Sequence, residues 1–338
     1  MFAQIESIAS HLPSGVLDNA QLAQPGAWTE GDIFAKTGIR RRHVAAENEC
    51  ASDLAIAAVQ RLQAQSKFAA DSIEFLILCT QTPDYILPTT ACIVQTATGL
   101  PTTCAAFDVS LGCSGYVYAL SIAAAFISSG TFQRGIVVTA DTYTRYVHPQ
   151  DRSTRTIFGD GATATLLQAS KAEGLRGFSF GTDGRGAKNL IIPAGGTRLA
   201  RGVESKAETT DKSGNVRTLE NLYMNGPEIF TFTLQRVPEI ISQTLGKSGL
   251  RMEDIDCFVF HQANQFMLDH LRKKLGISPE RMIGRLEDIG NTVSSSIPFA
   301  IESGIKSGQI LAGMKVMLVG FGVGYSWACA IWKVKGLT

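Results

Sequence analysis

Residues 105–130 read AAFDVSLGCSGYVYALSIAAAFISSG, and this stretch decides how the chain folds. Residues 106–109 predict a short buried strand and 110–115 a turn of small residues. The apolar run that follows predicts a helix, with Gly130 as its stop. Val117, Leu120, Ala124 and Ile127 fill one face, but Tyr116, Ala123 and Phe126 fill the others, so the helix is expected to be buried all round. A single cysteine, Cys113, sits in the turn. At a helix start it faces free backbone N–H groups and the positive end of the dipole, which favour the attacking thiolate. Gly112 and Gly115 keep the approach clear of side chains. From these residues alone, Cys113 is either a nucleophile or a small core residue.

The rest of the chain reads as a globular frame for that turn. Of 338 residues, 45% are apolar and 18% charged, enough for one large domain or two medium ones. The formal net charge of +1 gives no global field for nucleic acid or an anionic membrane, so neither is an expected partner. The seven cysteines form no C-x-x-C pair, which argues against metal ligation, and their odd number, mostly inside apolar runs, argues for a reducing, cytoplasmic setting. The first residues, MFAQIESIASHLP, lack the basic and apolar regions of a signal peptide. No apolar run reaches the roughly 20 residues that a membrane helix needs.

Strands and helices alternate along the chain, which predicts an α/β fold with largely parallel sheets. Strands are expected at 2–12, 73–79, 135–140 and 164–168, and helices at 52–63, capped by Ser52, and 89–99. Thr37-Gly38-Ile39-Arg40-Arg41-Arg42-His43 reads as a basic turn, by default a solvated one. The pattern then begins again. Ser72-Ile73-Glu74-Phe75-Leu76-Ile77-Leu78 resembles Asp254-Ile255-Asp256-Cys257-Phe258-Val259-Phe260, and Asn291 follows the second strand much as Cys113 follows the first. This predicts two duplicated halves, 1–170 with Cys113 and 171–338, joined near 169–174. Residues 195–221 are polar and aperiodic and read as a long loop insertion. A helix is expected at 227–245.

Two further sites carry chemistry. His261, in Phe260-His261-Gln262-Ala263-Asn264, stands where a strand ends and a helix begins, the rim at which α/β proteins bind ligands. Asn291 lies in a glycine-led turn, Ile289-Gly290-Asn291-Thr292, that feeds a helix. The glycine-rich 319–327 segment is followed by a strand, so it reads as a hairpin whose N–H groups face a site and not as a dinucleotide loop. One chemistry fits all of these. Cys113 takes an acyl group as a thioester, and the N–H groups of Cys113 and Val323 hold the oxyanion. His261 and Asn291, as neutral donors, stabilise the enolate left when a malonyl thioester loses carbon dioxide.

The chain resembles the β-ketoacyl-acyl-carrier-protein synthase III family of the thiolase superfamily over nearly its whole length. The motifs that carry the resemblance are Thr37-Gly38-Ile39-Arg40, the Cys113 turn, Asp151-Arg152, Phe158-Gly159-Asp160-Gly161-Ala162, His261-Gln262-Ala263-Asn264, Gly290-Asn291-Thr292 and the 322–327 loop. The resemblance implies a thiolase-like, five-layered αβαβα fold, a homodimer and a Cys113–His261–Asn291 triad. It implies that an acyl-CoA primes Cys113 and that malonyl on the phosphopantetheine arm of an acyl carrier protein extends it, with no bound cofactor and no metal. Arg152 matches the arginine that holds CoA in relatives, and Lys36 stands for another arginine. Asp32 takes the place of the relatives' adenine-stacking tryptophan, with Trp28 nearby as its substitute. Lys273 and Lys274 match carrier-docking positions, whereas Phe266 and Thr231 replace basic ones. Leu87 matches the residue with which the partner subunit closes the acyl pocket. A specialised enzyme with a non-acetyl primer and a catalytically dead partner subunit are the alternatives.

Overall fold

The structure, a computed structural model, describes residues 1–23 and 28–336. Two five-stranded sheets form its centre. The first runs Phe2–His11, Gly161–Ser170, Arg134–Asp141, Phe75–Cys79, Ala105–Val109 across the sheet. The second runs Leu175–Thr182, Ser326–Lys333, Lys315–Gly322, Cys257–Phe260, Met282–Ile283. In chain order the strands take the same places in both sheets: first, fifth, fourth, second, third. The directions repeat as well. The second strand is parallel to its two neighbours, and the other pairings are antiparallel.

Apolar patterning sets the layers. Phe75–Cys79 is buried at every position, as a strand covered on both faces must be. Helices Gly115–Ser128 and Ser296–Lys306 lie between the sheets, in one core with Ile5, Phe75, Val259, Leu318 and Trp332. Helix Ala51–Ser66 and helix Thr90–Ala97 cover the outer face of the first sheet. Helix Gly226–Ser248 and helix Gln265–Leu275 cover the second. The result is the five-layered αβαβα arrangement of a thiolase-like fold. Tyr116, Val117, Leu120, Ala123 and Ile127 are all fully buried, which is why the central helix is apolar on every side. Each such large side chain contributes ~1.5–3 kcal/mol by leaving water.

Three local expectations are corrected. Helix Ala51–Ser66 is capped at Cys50, whose N–H bonds Asp53, while the Ser52 hydroxyl turns to Asp84. Arg42 is not solvated. Its guanidinium is buried and donates to Asn19 Oδ1 at 2.9 Å and to the Thr156 carbonyl at 2.7 Å, so one arginine of the basic turn staples the fold. The 195–221 segment is not bare loop. It holds a 3-10 turn and a small hairpin of Thr209–Thr210 with Val216–Arg217. Arg217 reaches the buried Asp151 carboxylate at 3.3 Å and pins the segment beside Arg152. Among the described residues, no helix is long and apolar enough to cross a membrane.

Candidate active site

Cys113 follows strand Ala105–Val109 and precedes helix Gly115–Ser128, in a turn closed by the Gly115 N–H on the Gly112 carbonyl at 2.8 Å. The last hairpin folds over this turn. Ser114 Oγ and Ser326 Oγ lie 2.6 Å apart and tie the two together. A Cβ on Gly322 would stand 2.9 Å from the Cys113 sulfur, and one on Gly320 would stand 2.7 Å from Ser114 Cα. Glycine is required at both positions because the backbone lies against the nucleophile turn. The N–H groups of Cys113 itself and of Val323 favour its charged form.

His261 extends strand Cys257–Phe260, with its own N–H on the Val319 carbonyl at 2.8 Å. Its Nδ1 lies 2.7 Å from Ser296 Oγ, and its ring packs edge-on against Phe321. Asn291 reaches the same place from another direction. The Phe158–Gly159 turn of the first half meets it in a short parallel bridge, with Asn291 N–H on the Ile157 carbonyl and Gly159 N–H on the Asn291 carbonyl. A Cβ on Gly159 would stand 2.4 Å from the Ile289 carbonyl, which explains the first glycine of Phe158-Gly159-Asp160-Gly161. Asn291 Oδ1 accepts from Val293 N–H at 2.9 Å, which leaves its amide nitrogen as the donor, 3.4 Å from the Ala263 carbonyl. Val293 pays for this turn with a φ of 52°, a strained value for a β-branched residue, worth ~1–3 kcal/mol.

Cys113, His261 and Asn291, from three separate turns, line one cavity of about 40 Å³. Ile157, Met224, Ile229, Asn264 and Met267 line both this cavity and a wider one of about 640 Å³ that opens to the surface. The two make a tunnel with the sulfur at its inner end. Two models of the 3-oxoacyl-[acyl-carrier-protein] synthase III family match the chain, one over residues 107–184 and the family's C-terminal model over 245–334. The β-ketoacyl-[acyl-carrier-protein] synthase III of Neisseria gonorrhoeae is 37% identical over 330 residues, 98% of each chain. This chain belongs to the synthase III family. A crystal structure of a 3-oxoacyl-(acyl-carrier-protein) synthase III superposes with a TM-score of 0.96 at 50% identity, covering 98% of this chain and 99% of that one. The Burkholderia xenovorans 3-oxoacyl-(acyl-carrier protein) synthase gives 0.91 at 38% identity, covering 100% and 95%.

The electrostatics of this synthase III site correct one expectation. The N–H groups of Cys113 and of Val323 do lower the thiol's pKa, but they do not win. Burial, and then the charge of Asp141, push Cys113 up to about 12, so the resting group is a thiol. Asp141 is itself raised to about 7 by burial, against hydrogen bonds from Ser294 and the Gln81 N–H. Burial lowers His261 to about 3 and keeps it neutral. A neutral imidazole and a carboxamide suit hydrogen-bond donation better than charge pairing.

The other expected positions separate into three places. Trp28, Lys36 and Arg152 share the outer cavity, with Lys36 Nζ 4.8 Å over the Trp28 ring. Lys273 and Lys274 are exposed on the last turn of helix Gln265–Leu275. Leu87 lies outside this chain's tunnel, exposed in a run with Tyr85 and Ile86. Sequence reasoning missed Ser296, Phe321 and the tunnel-lining Met224, Ile229 and Met267. Only the serine run 294–296 and the glycines flanking Phe321 hint at them. Phe266 packs at a tilt against Phe230 and His270, and it lines the outer cavity together with Phe230.

Proposed function

We propose that this condensing acyltransferase works in two stages on Cys113, with His261 and Asn291 as its donors. In the first stage the sulfur attacks the carbonyl of an acyl-CoA. A bond from Cys113 to the acyl carbon forms, the bond to the CoA sulfur breaks, and the thiol proton ends on the released CoA. The N–H groups of Cys113 and Val323 hold the tetrahedral oxyanion. In the second stage a malonyl thioester on a carrier protein's phosphopantetheine arm enters the tunnel. Its carboxylate leaves as carbon dioxide, and the electron pair passes to an enolate whose oxygen takes hydrogen bonds from His261 and Asn291. The enolate carbon attacks the acyl-cysteine, and the Cys113 thiolate leaves and regains a proton from solvent. The product is a β-ketoacyl thioester, the start of a fatty acid or related chain.

The observation that carries this reading is the convergence of the three side chains on one narrow cavity. The repeated strand order supports two thiolase-like halves, 1–170 bearing Cys113 and 171–338 bearing His261 and Asn291. Trp28, Lys36 and Arg152 meet the CoA nucleotide and Lys273 and Lys274 an acidic carrier, a reading supported by the shared outer cavity of the first three and the exposure of the two lysines. The chain acts as a cytoplasmic homodimer without a bound cofactor. Ala105–Val109 presents an unpaired sheet edge, and the exposed Tyr85, Ile86 and Leu87 suit burial by a second copy. Leu87 and the 195–221 segment favour a second reading, a priming enzyme of a specialised pathway with a non-acetyl primer. Incubation with a panel of acyl-CoAs, read by intact mass, separates the two by primer. Replacing His261 or Asn291 by alanine is expected to abolish carbon dioxide release and leave Cys113 acylation largely intact. Equal loss of both steps counts against these roles.

A further inference from the structure

We propose that Ser296 is a positioning residue that fixes His261 in the tautomer carrying its proton on Nε2, so that the ring offers the tunnel a donor. The inference rests on the reading of His261 as a donor to the enolate. Ser296 opens the central helix Ser296–Lys306 and is fully buried, so its hydroxyl has only protein partners to choose from.

Those partners settle its direction. A hydroxyl has one proton and two lone pairs. The Gln262 N–H donates into one lone pair at 3.3 Å. Two acceptors then compete for the proton, His261 Nδ1 at 2.7 Å and the Val293 carbonyl at 3.0 Å. The Val293 carbonyl already receives the Ser296 backbone N–H, so it does not need the hydroxyl. The separation to Nδ1 is short for an N–H donor and ordinary for an O–H donor. Donation therefore runs from Gln262 N–H to the Ser296 hydroxyl to His261 Nδ1, each bond polarising the next. Nδ1 is left without a proton and Nε2 carries it. Without the hydroxyl, the ring is left facing the Val293 carbonyl, which stood 3.0 Å from the lost oxygen. A carbonyl only accepts, so it draws the proton to Nδ1 and leaves Nε2 bare.

The test is nitrogen NMR of full-length protein labelled at histidine, with the His261 signals identified by their loss in His261→Asn. The wild type is expected to show an unprotonated Nδ1, and Ser296→Ala a protonated one. Carbon dioxide release in Ser296→Ala is expected to fall about tenfold, the worth of one hydrogen bond. Acylation of Cys113 stays unchanged, and Ser296→Thr, which keeps the hydroxyl, recovers the wild-type tautomer. A protonated Nδ1 in the wild type, or an unaltered tautomer in Ser296→Ala, overturns the proposal. If the alanine variant fails to fold, the wild-type spectrum decides alone. A wild type with the expected tautomer that never decarboxylates a malonyl thioester defeats the proposed function and leaves this assignment standing.

Discussion

Gly322→Ala tests the contact between the two halves at its tightest point. The added methyl would stand 2.7 Å from Cys113 Cβ and 2.9 Å from its sulfur. Carbon atoms in contact sit ~3.5–4.0 Å apart, so the nucleophile or the hairpin must move by about 1 Å. Gly322 has no positive φ, so backbone conformation does not enter the result. A displacement of that size at reacting atoms lowers a rate by roughly a hundredfold. Overpacking a buried site also costs about 1–3 kcal/mol of stability, which a folded domain of this size tolerates. The assay is the rate at which an acyl-CoA adds its acyl mass to Cys113, with urea unfolding run in parallel. Gly246→Ala is the control, since its methyl meets nothing within 4 Å; there helix propensity raises stability by ~1 kcal/mol without touching the rate. A folded Gly322→Ala protein that acylates like wild type refutes the close packing of hairpin on nucleophile.

Further outcomes follow from the electrostatics. Because burial raises the Cys113 thiol to about 12, its thiolate fraction grows about tenfold per pH unit across the neutral and mildly alkaline range. Iodoacetamide labelling of Cys113, read by peptide mass, is expected to climb without a plateau; levelling off below pH 8 contradicts the assignment. Six thiols, Cys50, Cys79, Cys104, Cys113, Cys257 and Cys329, are raised by burial. The unfolded chain sheds these protons near pH 8.5 while the folded chain keeps them. Stability present below that pH is thus lost as pH rises toward 12, and a urea midpoint that holds steady or climbs above pH 9 opposes this. Replacing Lys273 and Lys274 together by alanine is expected to raise KM for the malonyl carrier severalfold at low salt, with the effect fading as salt increases. An unchanged KM removes them from the docking surface.

The one-dimensional features of this fold were legible because they are local. Strand Phe75–Cys79 is a continuous apolar run, and helix Gly115–Ser128 shows its burial by being apolar all round. Cys113, His261 and Asn291 each stand in a small or polar turn after an apolar stretch, which marked His261 as a rim residue and the other two as turn residues. What joins them was not legible. The bridge between Phe158 and Asn291 depends on a register set across both halves, and no periodicity reports it. The Cys113 acidity failed for a related reason: the helix start is visible in the sequence, while the desolvation that overrides it comes from distant residues. Arg42 looked like one charge among three, and only its fit against Asn19 and Thr156 sets it apart. Ser296 gave no signal beyond a serine run, because its role lies in the one hydroxyl that faces His261.

A two-stage single-turnover experiment tests the central claim most directly. Protein is loaded with an acyl-CoA, freed of excess, and then given a malonyl-loaded carrier while its mass and the released carbon dioxide are followed. The acyl mass is expected on the Cys113 peptide alone, discharging with one carbon dioxide and one β-ketoacyl carrier for each adduct lost. An adduct on another cysteine, or a discharge that yields free acid and no new carbon–carbon bond, contradicts the account.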